Sequence, residues 1–226
     1  MFDLRLKAVL ALSLMVAACS GHPKPAGAPT GPYNYESVEA GVKIDSTVNV
    51  RYDADSTVVD EEVHIGQVTA NIESRLDPKT FSARTYAIHN DPERNDPSIS
   101  VTKDGASVNT TRGRAIVKAP VPGAPSWIFG NYASSFVMLP SLVRATKTRI
   151  TNAYMPNVFR GKAFALKLFV IPATLKPPAE VPAADAAISL APAGHRPAMV
   201  TVWYDPATSV VDAVTIGTGA PFVRKP

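Results

Sequence analysis

The sequence predicts a mainly β protein: a single antiparallel curved sheet, or a partly open barrel, with one helix packed on it. Three observations lead there. From Tyr33 onward the chain is written in short alternating runs separated by turn residues, the pattern of half-buried antiparallel strands. One stretch, beginning at Tyr132, repeats its apolar residues at a helical period. The 226 residues contain one cysteine, so cohesion has to come from a packed core and not from disulfides.

Taken in order, Thr47–Tyr52 alternates, with Val48, Val50 and Tyr52 on one face. Asp53-Ala54-Asp55-Ser56 turns the chain, because Asp and Ser side chains bond their own backbone. Val58–Ile65 returns, and Gly66 permits the next reversal. Val68, Ala70, Ile72 and Leu76 mark another strand, Asp77-Pro78-Lys79-Thr80 turns it, and Phe81–Ile88 comes back. A polar loop spans 91–97. Ile99–Lys103, Asp104-Gly105 and Ala106–Arg112 then read as a hairpin, since Asp-Gly suits a tight primed turn. Ala115–Lys118 is a further strand candidate, stopped by Pro120, Pro122 and Pro125. Tyr132, Phe136, Leu139 and Val143 form the helical stripe. Pro140 predicts either a kink or a fresh start with the proline in the first turn. Ala163–Ile171 is apolar on both faces, which predicts a doubly covered central strand. Lys176–Val181 is a proline-rich loop. Met199–Tyr204 and Ser209–Ile216 form the last hairpin, and Phe222-Val223 is placed to close the sheet.

Two stretches echo one another. RYDADSTVVDEEVHIG runs from Arg51 to Gly66, and WYDPATSVVDAVTIG from Trp203 to Gly217. Each reads as a strand ending in Tyr, an Asp-started turn and a β-branched return strand. The first copy has Glu61-Glu62 where the second has only Ala213, and one extra residue in an antiparallel strand is a β-bulge. The expectation is two equivalent hairpins near the two ends of one curved sheet, with a bulge at Glu61-Glu62. The bland alternative is that hairpins share common residue choices.

The first residues read differently. Arg5 and Lys7 precede an apolar run, Ala8–Ala18, that is too short to span a hydrocarbon core needing ~20 residues as a helix. The run ends Val16-Ala17-Ala18-Cys19, which resembles the lipobox of bacterial lipoproteins. That resemblance implies a signal peptide over 1–18, a diacylglycerol thioether on Cys19 and an acylated new terminus there, anchoring the chain to a membrane. Asp3 departs from the usual basic start, and Ser20 after the cysteine implies the outer membrane, facing the periplasm, in a host that has one. Residues 19–32 are rich in Pro and Gly and predict a solvated tether, leaving 33–226 as the β-rich domain.

The net charge of +4 hides a division. Tyr33–Asp104 is strongly acidic. Between Asp104 and Glu180 there is no acid, and Arg144, Lys147, Arg149, Arg160 and Lys162 stand among the bases. These five are candidates for contact with an anionic surface such as lipid headgroups. The alternative is that basic and acidic halves pair internally. With an export signal and no base-stacking motif, nucleic acid is not an expected partner.

Motifs for a nucleophile elbow, a zinc-binding helix, a phosphate loop or a cysteine-based metal site are absent from the sequence, and no cofactor or metal ligand is assigned. Asp60, Glu62 and His64 would share a strand face if no bulge intervened, and are read as its wet side. Ser134 and Ser135 read as residues at a helix start, and Trp127 and Trp203 as core or rim aromatics. No catalytic residue is assigned.

A lipobox, a tether, many antiparallel strands and one late helix together resemble the LolA/LolB-like group of envelope proteins. That resemblance implies an incomplete barrel with helices over its mouth and an acyl cargo. The region from Trp127 through Leu142 also resembles small secreted β domains of unknown function. The leading expectation is a lipid-anchored, non-catalytic binding module, with a groove for a hydrophobic or acyl ligand at Tyr132, Phe136, Leu139 and Val143. The alternative is an accessory lipoprotein docking on an envelope protein complex; a hydrolase ranks last.

Overall fold

Alternation becomes strand almost everywhere the sequence carries it. The computed structural model describes residues 28–90, 98–102, 105–109, 127–128, 132–147, 150–157, 162–183, 185–194 and 198–226. β1 (Tyr33–Glu39), β2 (Val42–Tyr52), β3 (Thr57–Ile65), β4 (Val68–Leu76), β5 (Ala83–Asn90), β6 (Ser98–Thr102) and β7 (Gly105–Asn109) form one antiparallel meander. Then come β8 (Trp127–Ile128), a 3-10 turn (Ala133–Ser135) and the helix α1 (Leu139–Thr146). β9 (Ile150–Asn157), β10 (Lys162–Ile171), β11 (Ala186–Pro192), β12 (Val200–Tyr204), β13 (Val211–Ile216) and β14 (Phe222–Lys225) make a second meander. β1 pairs with β14, so the two meanders are one sheet of order β7-β6-β5-β4-β3-β2-β1-β14-β13-β12-β11-β10-β9-β8. All pairings are antiparallel except β8 beside β9.

The sheet is rolled. Tyr35, Val48 and Val59 of the first meander share a buried cluster with Leu168, Leu190, Val202 and Val214 of the second, and Phe136, Leu139 and Leu142 lie among them. Strand twist permits this, and the helical segment fills the concave face. β8 comes beside β5, yet β7 and β8 do not pair and the sheet stays open. Pro140 starts α1 afresh in its first turn, where a missing N–H costs nothing. α1 ends at Lys147, whose φ of 50° is left-handed and whose N–H bonds the Val143 carbonyl.

Several expectations change. The register of β3 with β2 and with β4 runs unbroken through Glu61-Glu62, so no bulge lies there. The echoed hairpins are β2–β3 and β12–β13, and both flank the middle of the sheet, not its ends. Nor are they equivalent: Tyr52 pairs with Thr57, whereas Tyr204 pairs with Val211 across a longer turn. Gly105 already pairs with Thr102, so the Asp104-Gly105 hairpin turns one residue early. The doubly covered strands are β12 and β13, where Trp203 and Ala213 on the outer face are buried with Val181 and Val223. In β10, Lys167 is exposed and Leu168 buried, so that strand is covered on one side. The segment read as tether is docked from Ala28 onward: Ala28 is in the core, and the Tyr52 hydroxyl donates to the Pro29 carbonyl. The Ala115–Lys118 candidate lies outside the described residues.

A different pair of turns is equivalent. Asp77-Pro78-Lys79-Thr80-Phe81 and Asp205-Pro206-Ala207-Thr208-Ser209 fold alike. In each, the Asp carboxylate accepts the N–H two residues on, at 3.0 Å and 2.7 Å, and the Thr hydroxyl. In each, the fifth residue donates its N–H to the Asp carbonyl and has φ of 58°. In each, the register then shifts beside the turn, leaving Arg84 or Asp212 as the extra residue. The shared Asp-Pro-x-Thr text carries this match.

Phe136 is fully buried between the meanders, so Phe136→Ala is expected to lower unfolding free energy by about 3–5 kcal/mol in denaturant titration. Ser209 has the reverse expectation. Its hydroxyl is buried without a partner and its backbone is left-handed, so Ser209→Gly should raise stability by about 0.5–1.5 kcal/mol.

Candidate functional site

Thr57, Val59, Glu61 and Val63 form the inward row of β3, and all four are buried. Glu61 therefore points a carboxylate at the interior, with 2% of its surface exposed. What it meets there is the start of the helical segment, whose first N–H groups have no partner of their own. The Ala133 N–H donates to Glu61 Oε1 at 3.1 Å and the Ser134 N–H to Oε2 at 2.7 Å. The Ser46 hydroxyl, on β2 two residues from Val48, which faces Glu61, also donates to Oε1. One side chain thus ties β2, β3 and the helical segment together.

Burial dominates the electrostatics. It pushes the Glu61 carboxyl above its ordinary value of 4.5, against the lowering effect of the Ser134, Ser46 and Ala133 bonds. Burial also raises the Tyr86 and Tyr132 phenols, and the nearby Glu61 charge adds to both. Beside this cluster a cavity of about 20 Å³, lined by Ser74, Leu76, Phe81, Ser135, Met138 and Leu139 among others, has room for about one water. Ser134 and Ser135 are buried at 4% and 6% exposure, at the 3-10 turn as read from sequence. The arrangement holds a segment in place.

The four candidate ligand residues come together, but as core. Phe136 and Leu139 are 0% and 1% exposed, and Tyr132 and Val143 pack partly buried against the same interior. They pack against the concave face of the curved sheet. Of the five basic candidates, Arg144, Lys147 and Lys162 lie among the described residues. Arg144 and Lys147 sit at the C-terminal end of α1, where the Arg144 guanidinium donates to the Pro206 carbonyl. Lys162 begins β10 opposite Asn157, at the end of that strand pair away from Ile150. Arg149 and Arg160 lie outside the described residues, as does Cys19. Within the acidic half, Lys43, Arg51, Arg75 and Arg84 each pair with an acid of their own meander.

With no bulge, Asp60, Glu62 and His64 do share the outer face of β3, where His64 Nε2 lies 2.8 Å from Glu62 and Asp60 pairs with Arg51. Among the described residues no group of His, Cys, Asp or Glu could hold a metal ion. Glu61 was the residue sequence reasoning missed. Its signal is plain once the register is continuous: it alternates with Val59 and Val63.

Glu61→Leu should destabilise the fold by about 2–4 kcal/mol, because it orphans buried donors at about 1–3 kcal/mol each. Glu61→Gln keeps an acceptor and should cost less. Because burial raises the folded value, this group's stabilising share is complete below about 4.5 and falls as pH rises through the raised value. Denaturation across pH 4 to 9 should therefore show a downward slope with pH that Glu61→Gln flattens. No family model, curated protein or solved structure matches this chain.

Proposed function

We propose that this chain is a lipid-anchored bacterial envelope protein whose domain is a non-catalytic docking module. The observation that favours docking over ligand carriage is the packing of the concave face: Phe136, Leu139 and Leu142 are buried there, and the cavity beside them among the described residues is about 20 Å³. A carrier of an acyl chain needs an apolar pocket of roughly 300 Å³ or more. The anchoring half rests on Val16-Ala17-Ala18-Cys19 in the sequence. Among the described residues no helix is long and apolar enough to cross a membrane, so a lipid at Cys19 is the attachment proposed.

The open sheet supplies the docking feature. Among the described residues β7 is an end strand with a neighbour on one side only, and such an edge accepts an added strand from a partner. The partner class is another envelope protein.

The test is mass spectrometry of gently extracted protein together with crosslinking in cells from photoreactive residues placed along β7. Acyl mass at Cys19, no co-purified lipid and one crosslinked envelope protein are expected. Stoichiometric co-purified lipid would restore the carrier reading, and a terminus without acyl mass would remove the anchor. Cys19→Ala should shift the protein out of the membrane fraction.

A further inference from the structure

Residues 28–32 are fastened at one end of the roll. Ala28 is in the core and Pro29 is buried. The Thr30 N–H donates to the Tyr33 hydroxyl at 2.7 Å. Tyr52, the last residue of β2, donates its hydroxyl to the Pro29 carbonyl. Gly31 passes so close to β2 that a Cβ there would stand 2.8 Å from the Val48 carbonyl oxygen, and its φ of +60° is left-handed. Ala28 is therefore a fixed point at the Tyr52 end of β2.

Antiparallel register sorts the turns between the two ends. The β2–β3 turn follows Tyr52, and the Arg84 guanidinium donates to the Asp55 carbonyl, which brings the β4–β5 turn beside it. The Tyr35 hydroxyl on the Val211 carbonyl and the Arg144 guanidinium on the Pro206 carbonyl add the β12–β13 turn and the end of α1. The β1–β2, β3–β4 and β13–β14 turns lie at the other end: Ile44 pairs with Ile65, and Gly219 comes beside Glu39. β2 is 11 residues long, so the ends are about 34 Å apart at ~3.4 Å per residue. Lys79, Arg144 and Lys147 are exposed at the Tyr52 end, with Asp53 and Asp55. The outer flank of the first meander is more acidic, with Glu36, Asp45, Asp60, Glu62 and Glu73 against Lys43, Arg51 and Arg75.

We propose that the domain stands end-on over the bilayer that holds Cys19, with the turns at 53–56, 77–82 and 205–210 toward phospholipid headgroups and the β1–β2 hairpin away from them. The inference rests on the lipid-anchored reading. Nine positions separate Cys19 from Ala28, and a chain of that length spans at most ~30 Å. An inverted roll would hold Ala28 about 34 Å above the headgroups, so the chain would have to be drawn out straight, with all its conformational freedom lost. Lying on the first meander would press an acidic flank against anionic lipid, whereas the Tyr52 end brings Lys79, Arg144 and Lys147 to it. Val38 and Val42, 54% and 45% exposed at the β1–β2 hairpin, are thereby held off the membrane.

The test uses the lipidated chain in vesicles of phosphatidylethanolamine and phosphatidylglycerol in which some headgroups carry a nitroxide quencher. Cys19 is the one cysteine and the lipid occupies its thiol, so an introduced cysteine takes a bimane label alone. Ala54, Gln67, Ala207 and Thr218 are all exposed turn residues. Labels at Ala54→Cys and Ala207→Cys should lose emission to the nitroxide, while labels at Gln67→Cys and Thr218→Cys keep theirs. Equal loss at both ends, loss at the far end alone, or no loss at any of the four positions would overturn the seating. Acyl mass at Cys19 and sedimentation with the vesicles check the anchor separately. Protein lacking both removes the anchor and the seating with it; anchored protein with the wrong quenching pattern removes the seating alone.

Discussion

The fold depends on a carboxylate placed where alternation calls for an apolar side chain. Glu61 lies in an inward row with Val59 and Val63, and its desolvation has to be offset by bonds. Those bonds come from the Ala133 and Ser134 N–H groups and the Ser46 hydroxyl. A helical segment entering a sheet's concave face brings unpaired N–H groups into a dry region, and Glu61 is the acceptor that meets them. The two liabilities cancel each other. That is why the 3-10 turn, which has no side-chain N-cap of its own, can be buried.

Once the segment is seated, the sheet has something to roll around. The two meanders contribute to one cluster, and Phe136, Leu139 and Leu142 lie within it. The seam between them is thin, three pairings from Asn34↔Lys225 to Glu36↔Val223. Tyr35 reinforces it from inside: it is buried and donates its hydroxyl to the Val211 carbonyl at 2.9 Å. The exposed pairs Lys43–Glu36 and Lys225–Glu36 decorate the same seam and add little, as solvated ion pairs do.

The two Asp-Pro-x-Thr turns show how one local device serves two settings. Each stores a left-handed residue, Phe81 or Ser209, and each shifts register beside it. In the first, the extra residue is Arg84, which closes back on Asp77 at 2.7 Å and on the Asp55 carbonyl. In the second it is Asp212, which needs Arg224 from another strand. The first turn is electrostatically complete by itself. The second depends on Arg224 of β14, so the same backbone shape gives one corner closed by its own residues and one closed by another strand.

Much of this was legible from residues alone. Alternation and turn residues determined the strands, the fold class and the single helix, because side-chain period and turn chemistry are local properties. Pro140 in the first turn of α1 was one of two local options, and the structure took the fresh start. Register was not local. A one-residue difference between two similar texts suggested a bulge at Glu61-Glu62, but the register shift lies in the other copy, beside Asp212, and the inward row of β3 is continuous. With that, Glu61 becomes the buried anchor. Whether Tyr132, Phe136, Leu139 and Val143 line a groove or fill it was likewise undecidable from their spacing. Spacing says that they share a face; only the curvature of fourteen strands, set by long-range pairing, decides how much space that face has in front of it.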